Sequence, residues 1–164
     1  MSIDITENKS ELQKTCVLPG TLYLVATPIG NLADITQRAI AVLDQVDIIA
    51  AEDTRHSQRL LGHLGIKSKL VAYHEHNEER STPKLLADLE SGKSIALISD
   101  AGTPLISDPG YRLVTQAHDH EIKIVPIPGV CAALASLSVA GLATDSLSLE
   151  AFPPARQCAP LPCF

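Results

Sequence analysis

The side chains that could do chemistry fall into a few short clusters. His74-Glu75-His76-Asn77-Glu78 packs two imidazoles and two carboxylates into five positions. Such groups move protons, so His74, His76 and Glu78, with Asp100, are candidates for a general base. The two His at i, i+2 would share one face if they sat on a strand, and could then ligate a metal. A third ligand would have to come from Asp53 or Asp100. No further His or Cys stands near in motif terms, so no metal site is assigned. Ser99-Asp100-Ala101-Gly102-Thr103-Pro104 sets a carboxylate before a glycine. There the backbone can approach a ligand closely, and Asp100 can meet a cofactor or substrate hydroxyl. Thr27-Pro28-Ile29-Gly30-Asn31 reads as a ligand loop or as a tight turn; Pro126-Ile127-Pro128-Gly129-Val130 reads as a ligand loop or as tight helix–sheet packing. In Glu52-Asp53-Thr54-Arg55, Asp53 or Thr54 is expected to cap a helix, and Asp108 another. Arg55 and Arg112 could contact phosphate, or be solvated or salt-bridged. No G-x-G-x-x-G or P-loop run supports a dinucleotide or nucleoside triphosphate site.

These clusters recur at the ends of apolar runs. Strands are expected at Thr21 to Thr27, Asp47 to Ala51, Leu70 to Tyr73, Ser94 to Ser99 and Lys123 to Ile127, with a sixth at Ser146 to Phe152. Helical spacing follows each of the first four, and a small-residue helix spans Val130 to Ala140. Asp34 with Gln37 predicts a capping box for the first helix, and Ser81 or Thr82 a cap for the third, with Pro83 in its first turn. This alternation predicts an α/β fold with a mainly parallel sheet flanked by helices. In such sheets ligands bind outside the carboxyl ends of the strands, where all five clusters fall.

Composition narrows the classes. The chain has 164 residues, 45% of them hydrophobic, which suits one domain with a real core. The net charge of −6 argues against holding nucleic acid by charge alone and leaves room for a local basic face. With no Trp, three Tyr and two Phe, stacking of bases on aromatic platforms is not expected. The four Cys suit no disulfide framework. No apolar run approaches membrane-spanning length and the N-terminus lacks a signal-peptide core, so a cytoplasmic protein without a membrane partner is expected. Residues 1–19 are expected to form a flexible arm, 20–152 the α/β domain, and 153–164, with four prolines in twelve residues, a tail.

In order along the chain, GTLYLVATPIGNLADITQRA, AAEDTRHS, HEHNE, ISDAGTPLISDPGYRLV and VPIPGVCAALASLSVAGL resemble the ribosomal RNA small-subunit methyltransferase I family, within the tetrapyrrole-methylase superfamily. The resemblance implies the N-terminal domain of a two-domain methylase. It implies S-adenosyl-L-methionine as cofactor, small-subunit rRNA rather than DNA as substrate, 2′-O-methylcytidine near the decoding site as product, and a homodimer at full length. Carried over by motif, cofactor contacts would come from Pro28, Gly30 and Asn31, from Asp100, Ala101, Gly102, Thr103 and Pro104, and from Pro128, Gly129 and Ala132. After Phe152-Pro153-Pro154-Ala155 the chain departs from the pattern, as a frameshift or premature stop would make it do, and truncation before the second domain is the expectation. The expected function is therefore rRNA ribose methylation, impaired by truncation. The alternatives are a methylase of tetrapyrroles or other small molecules, and a non-catalytic fragment.

Overall fold

The computed structural model describes residues 17–106 and 108–148. Five parallel strands form one sheet: β1 (Thr21–Val25), β2 (Ile48–Ala51), β3 (Lys69–Ala72), β4 (Ile95–Ile98) and β5 (Lys123–Ile127), in the order β3-β2-β4-β1-β5. Five helices follow them: α1 (Gln37–Gln45), α2 (Thr54–Leu64), α3 (Glu78–Glu90), α4 (Tyr111–Asp119) and α5 (Ala132–Val139). The expected α/β class and parallel sheet are observed. Of the expected sixth strand, residues 146–148 are not in a strand and 149–152 lie outside the described residues. The expected tail at 153–164, and the arm up to residue 16, also lie outside them.

The central strands read as unbroken apolar runs because both faces of the sheet are covered. Side chains alternate between two cores. Ile49, Ala51, Ala96 and Ile98 face α1 and α2, packing with Val42, Leu43 and Leu61. Ile48, Ala50, Ile95 and Leu97 face α3 and α4, packing with Leu85, Leu89, Leu113 and Ala117. The strand order explains this division. The crossovers β1→β2 and β2→β3 step one way across the sheet, and β3→β4 and β4→β5 step back. Crossovers of one hand that reverse direction must put their helices on opposite faces. Chain direction therefore diverges where β4 and β1 lie side by side, which is the switch point of an open α/β sheet.

Three helix starts differ from expectation. At α1 the cap is Thr36, whose hydroxyl accepts the Ala39 N–H at 3.1 Å; Asp34 belongs to a preceding 3-10 turn, Leu32–Asp34, capped by Asn31. The α3 helix begins earlier, at Glu78, because Asn77 closes a turn with Oδ1 on the His74 N–H at 2.9 Å and Nδ2 on the Ala72 carbonyl at 3.1 Å. Pro83 then sits inside the helix rather than in its first turn. The α4 helix begins at Tyr111 behind Gly110, so Asp108 is not its cap. The α2 start agrees with expectation: Asp53 accepts the Arg55 N–H at 2.7 Å and that of His56 at 3.4 Å, and Gly65 ends the helix.

Candidate functional site

At the switch point the loops after β1 and β4 are sewn together. Thr27 and Gly102 exchange two backbone hydrogen bonds, of 2.8 and 3.0 Å. The buried Thr27 hydroxyl donates to the Ser99 carbonyl at 3.0 Å, and the Thr103 hydroxyl to the Val130 carbonyl at 3.1 Å. Gly102 has φ +89, and a Cβ there would stand 3.4 Å from Ile29 Cγ2. A side chain is disfavoured in that backbone region and would press on the neighbouring loop. The close approach expected at Gly102 is thus to the chain's own backbone; Gly102 is buried and does not line the cleft beside it.

That cleft, of about 450 Å³, opens on the α2 side of the switch point. Pro28, Gly30 and Leu32 line it from the β1 loop, Asp100 and Ala101 from the β4 loop, and His56, Arg59 and Leu60 from α2. Asp100 Oδ1 accepts the Asp53 N–H at 3.0 Å, which fixes the carboxylate across the neighbouring strand ends. No protein atom lies within 4 Å of where a Cβ of Gly30 would be, so the space before that backbone is free.

On the other side lies a second depression, of about 340 Å³, lined by Glu52, Glu75, Glu78 and Asp108 with Gly110 and Tyr111. Burial pushes the Glu52 carboxyl above its ordinary range, and the charges of Asp100 and Asp108 add to the shift. Burial also raises Asp108, with Asp100 adding and a hydrogen bond from Ser99 opposing. Asp53 is held low by the N–H groups of Arg55 and His56.

The structure separates the four candidate bases. Asp100 alone of them lines the cleft. Glu78 Oε1 accepts the buried Gly110 N–H at 2.7 Å, which ties α3 to the start of α4. His74 and His76 lie beyond the end of β3, in the turn before α3, with ring centroids 6.1 Å apart and planes at 69°. They are therefore not an i, i+2 pair on a strand face. His74 Nδ1 is buried without a partner, beside a small recess shared with Glu52 and Arg55. Among the described residues no three His, Cys, Asp or Glu are grouped to hold a metal ion.

The expected cofactor contacts divide too. Pro28, Gly30, Asp100 and Ala101 line the cleft. Asn31 caps the 3-10 turn, Thr103 binds Val130, and Pro104 is buried. Pro128, Gly129 and Ala132 are exposed at the β5 end, outside the cleft lining. A Cβ on Gly129 would fall 2.6 Å from Ala26 Cβ, so this glycine serves the helix–sheet packing reading. His56 closes the group that follows the second strand, whereas Arg59 and Leu60 lie deeper in α2, outside any strand-end group. Their signal is the helical spacing that sets His56 and Arg59 three apart behind the Asp53 cap. Arg112 stands 3.7 Å from Glu79, as the salt-bridged alternative has it.

Comparison with known proteins places this geometry in context. Residues 21–151 match the family Tetrapyrrole (Corrin/Porphyrin) Methylases. A protein of Pasteurella multocida named ribosomal RNA small subunit methyltransferase I is 59% identical over 139 residues, 85% of this chain and 50% of that protein. A protein of the same name from Escherichia coli O157:H7 is 58% identical over 137 residues, 84% of this chain and 48% of that protein. The chain thus spans about half the length of these relatives. Among solved structures, a uroporphyrin-III-C-methyltransferase from Thermus thermophilus superposes with a TM-score of 0.58 at 27% identity, covering 76% of this chain and 53% of that one. A cobalt precorrin-4 methyltransferase shares the fold with a TM-score of 0.59 at 19% identity, covering 74% of this chain and 50% of that one.

Proposed function

We propose a function from this premise: the chain belongs to the tetrapyrrole (corrin/porphyrin) methylase family, which its match over residues 21–151 establishes. Membership makes it a methyltransferase domain with S-adenosylmethionine as the implied methyl donor. The domain acts, in this proposal, in 2′-O-ribose methylation of a cytidine in small-subunit rRNA, in a protein of its relatives' length. The observation that carries the proposal is the cleft at the β4–β1 switch point, in a chain 58–59% identical to the two relatives named as small-subunit rRNA methyltransferases.

The cleft fits the cofactor on three counts. Its volume of about 450 Å³ lies within the usual range for small-molecule sites. The open space before Gly30 admits a ligand against bare backbone. Leu32 and Leu60 offer apolar walls, while Asp100 is a fixed carboxylate suited to a cationic or hydroxyl-bearing ligand. Pro28, Gly30, Asp100 and Ala101 would hold S-adenosylmethionine, which when bound supplies a methyl group already activated by its sulfonium. The chain's own work is then alignment and proton removal. The β1–β4 stitch fixes the two loops that carry Gly30 and Asp100, so the nucleophile can be positioned without reorganisation. We assign the proton-accepting role to Asp100, the one candidate base whose carboxylate lines the cleft.

The test has two parts. Calorimetry with S-adenosylmethionine should show binding to the native chain and a loss of about tenfold or more in Asp100→Ala, the scale of one charge-assisted contact. Labelled methyl, with unmethylated small ribosomal subunits and a protein of full relative length, should appear on a cytidine 2′-oxygen by mass spectrometry. Methylation of a porphyrinoid and not of RNA would overturn the substrate assignment. Unchanged cofactor affinity in Asp100→Ala would overturn the site.

A further inference from the structure

The outer face of α2 has a charge pattern unlike the rest of the chain. From Thr54 to His74 the sequence holds no Asp or Glu, in a chain of net charge −6. The same stretch holds Arg55, Arg59, Lys67 and Lys69. On α2, Arg55, Arg59 and His63 recur every fourth residue, which lines them up along one helix face at about 6 Å per step. All three are exposed, while Ser57, Leu60 and Leu61 take the buried side. Lys67 follows the Gly65 turn and lines the adjoining groove with Gln58 and Gly62.

Two cations elsewhere have an acidic partner: Lys93 stands 2.6 Å from Asp88, and Arg112 3.7 Å from Glu79. Among the described residues, Arg55, Arg59 and Lys67 make no salt bridge. Asp53, the acid nearest Arg55 in sequence, is turned to the backbone N–H groups of Arg55 and His56. Arg55, Arg59 and Lys67 are charged at neutral pH and repel one another, and a polyanion lying along them relieves that repulsion. The row meets the cleft at Arg59, which lines it beside His56. The acidic depression on the other side of the switch point repels the same polyanion.

We propose that Arg55, Arg59 and His63, continued by Lys67, form the track on which the sugar–phosphate backbone of an RNA substrate lies, delivering a nucleotide to the cleft beside His56. This rests on the methylase reading above and adds the substrate surface to it. RNA fits better than an acidic protein. A protein interface would be anchored by buried aromatic or apolar side chains, and none of the exposed large apolar residues described lies on α2. Phosphate contacts need only charge.

The test is fluorescence anisotropy of a short labelled RNA hairpin against the chain over a salt series. Arg55→Gln with Lys67→Gln, neither of which lines the cleft, should lower affinity about tenfold near 0.1 M salt and reduce the slope of log affinity against log salt by about 1–2. Arg112→Gln with Lys123→Gln, away from α2, should change affinity less than about twofold, the effect of distant rim charges. The charge-preserving pair Arg55→Lys with Lys67→Arg should restore binding, which a folding defect would not allow. Equal binding by the α2 pair and the native chain overturns the track, as does loss confined to the control pair. No RNA binding by the native chain at low salt also overturns it. Polyglutamate bound as tightly through the same residues would assign the face to an acidic protein instead. Calorimetry with S-adenosylmethionine runs alongside: failure of the native chain to bind cofactor contradicts the methylase reading, while anisotropy judges the track on its own.

Discussion

Two depressions flank the β4–β1 switch point, and they are chemical opposites. On the α2 side the lining combines apolar residues, bare backbone, one fixed carboxylate, and His56 and Arg59 of α2. On the α3–α4 side it is crowded with carboxylates, two of them pushed above their ordinary range. Both are fed by the same strand ends. They differ because the crossovers change face at the switch point, so helices of different composition meet the loops from each side. The lesson is that a strand-end loop does not choose its ligand alone. The helix beside it decides whether the edge attracts an anion, a cation or an apolar group.

The largest expected effect comes from breaking the stitch that both sides share. Gly102→Val places a β-branched residue at φ +89 against Ile29. It should cost about 3 kcal/mol, an unfolding midpoint lower by about 10 °C, and should abolish cofactor binding as the two loops part. Unchanged calorimetry in this variant would mean that the cleft does not depend on the stitch.

Next is a change confined to the acidic side. Glu78→Ala leaves the buried Gly110 N–H without its acceptor and should destabilise by about 1–2 kcal/mol in denaturant titrations. Cofactor affinity should stay within about twofold, because the α2 side keeps its lining. Loss of cofactor binding in a folded Glu78→Ala would erase the division between the sides and return Glu78 to the reacting site.

Much of this organisation was legible in the sequence. The five strand segments, the parallel class and the placing of all five polar clusters at one sheet edge follow from runs such as DIIAAED and SIALISD, where an apolar stretch ends in charge. Local chemistry was harder. Asp34 has the composition of a cap but sits in a 3-10 turn, because Thr36 offers a hydroxyl two residues nearer the helix. His74 and His76 have strand spacing, yet Asn77 folds the backbone into a turn around them. Gly102 has the composition of a ligand loop, and in the structure its backbone pairs with Thr27. Arg59 and Leu60 carry no loop signal because they lie inside α2; the strand order shows that this helix overhangs the cleft.

A subtler effect should separate the sides by pH. The raised carboxyls of Glu52 and Asp108 mean that the folded state prefers them protonated. Their contribution is therefore fully present below the ordinary carboxylate range and is lost as pH rises through their folded values. Glu52→Gln with Asp108→Asn should gain about 0.5 kcal/mol at pH 7, a modest figure because solvent screens half-buried groups. The native midpoint should rise from pH 7 toward 5 while the double variant stays flatter. At lower pH both should fall, as Asp53 and Asp47, held low by hydrogen bonds, become protonated. A native profile as flat as the variant's would remove the electrostatic contrast.

The most direct measurement is titration of the isotope-labelled chain with S-adenosylmethionine, followed by amide NMR. Binding on the α2 side of the switch point should shift Gly30, Leu32, Leu60, Asp100 and Ala101 and leave Glu75, Gly110 and Tyr111 unmoved. Shifts centred on Gly110 and Tyr111, with Gly30 and Leu60 silent, would place the cofactor on the acidic side and contradict the assignment of the cleft.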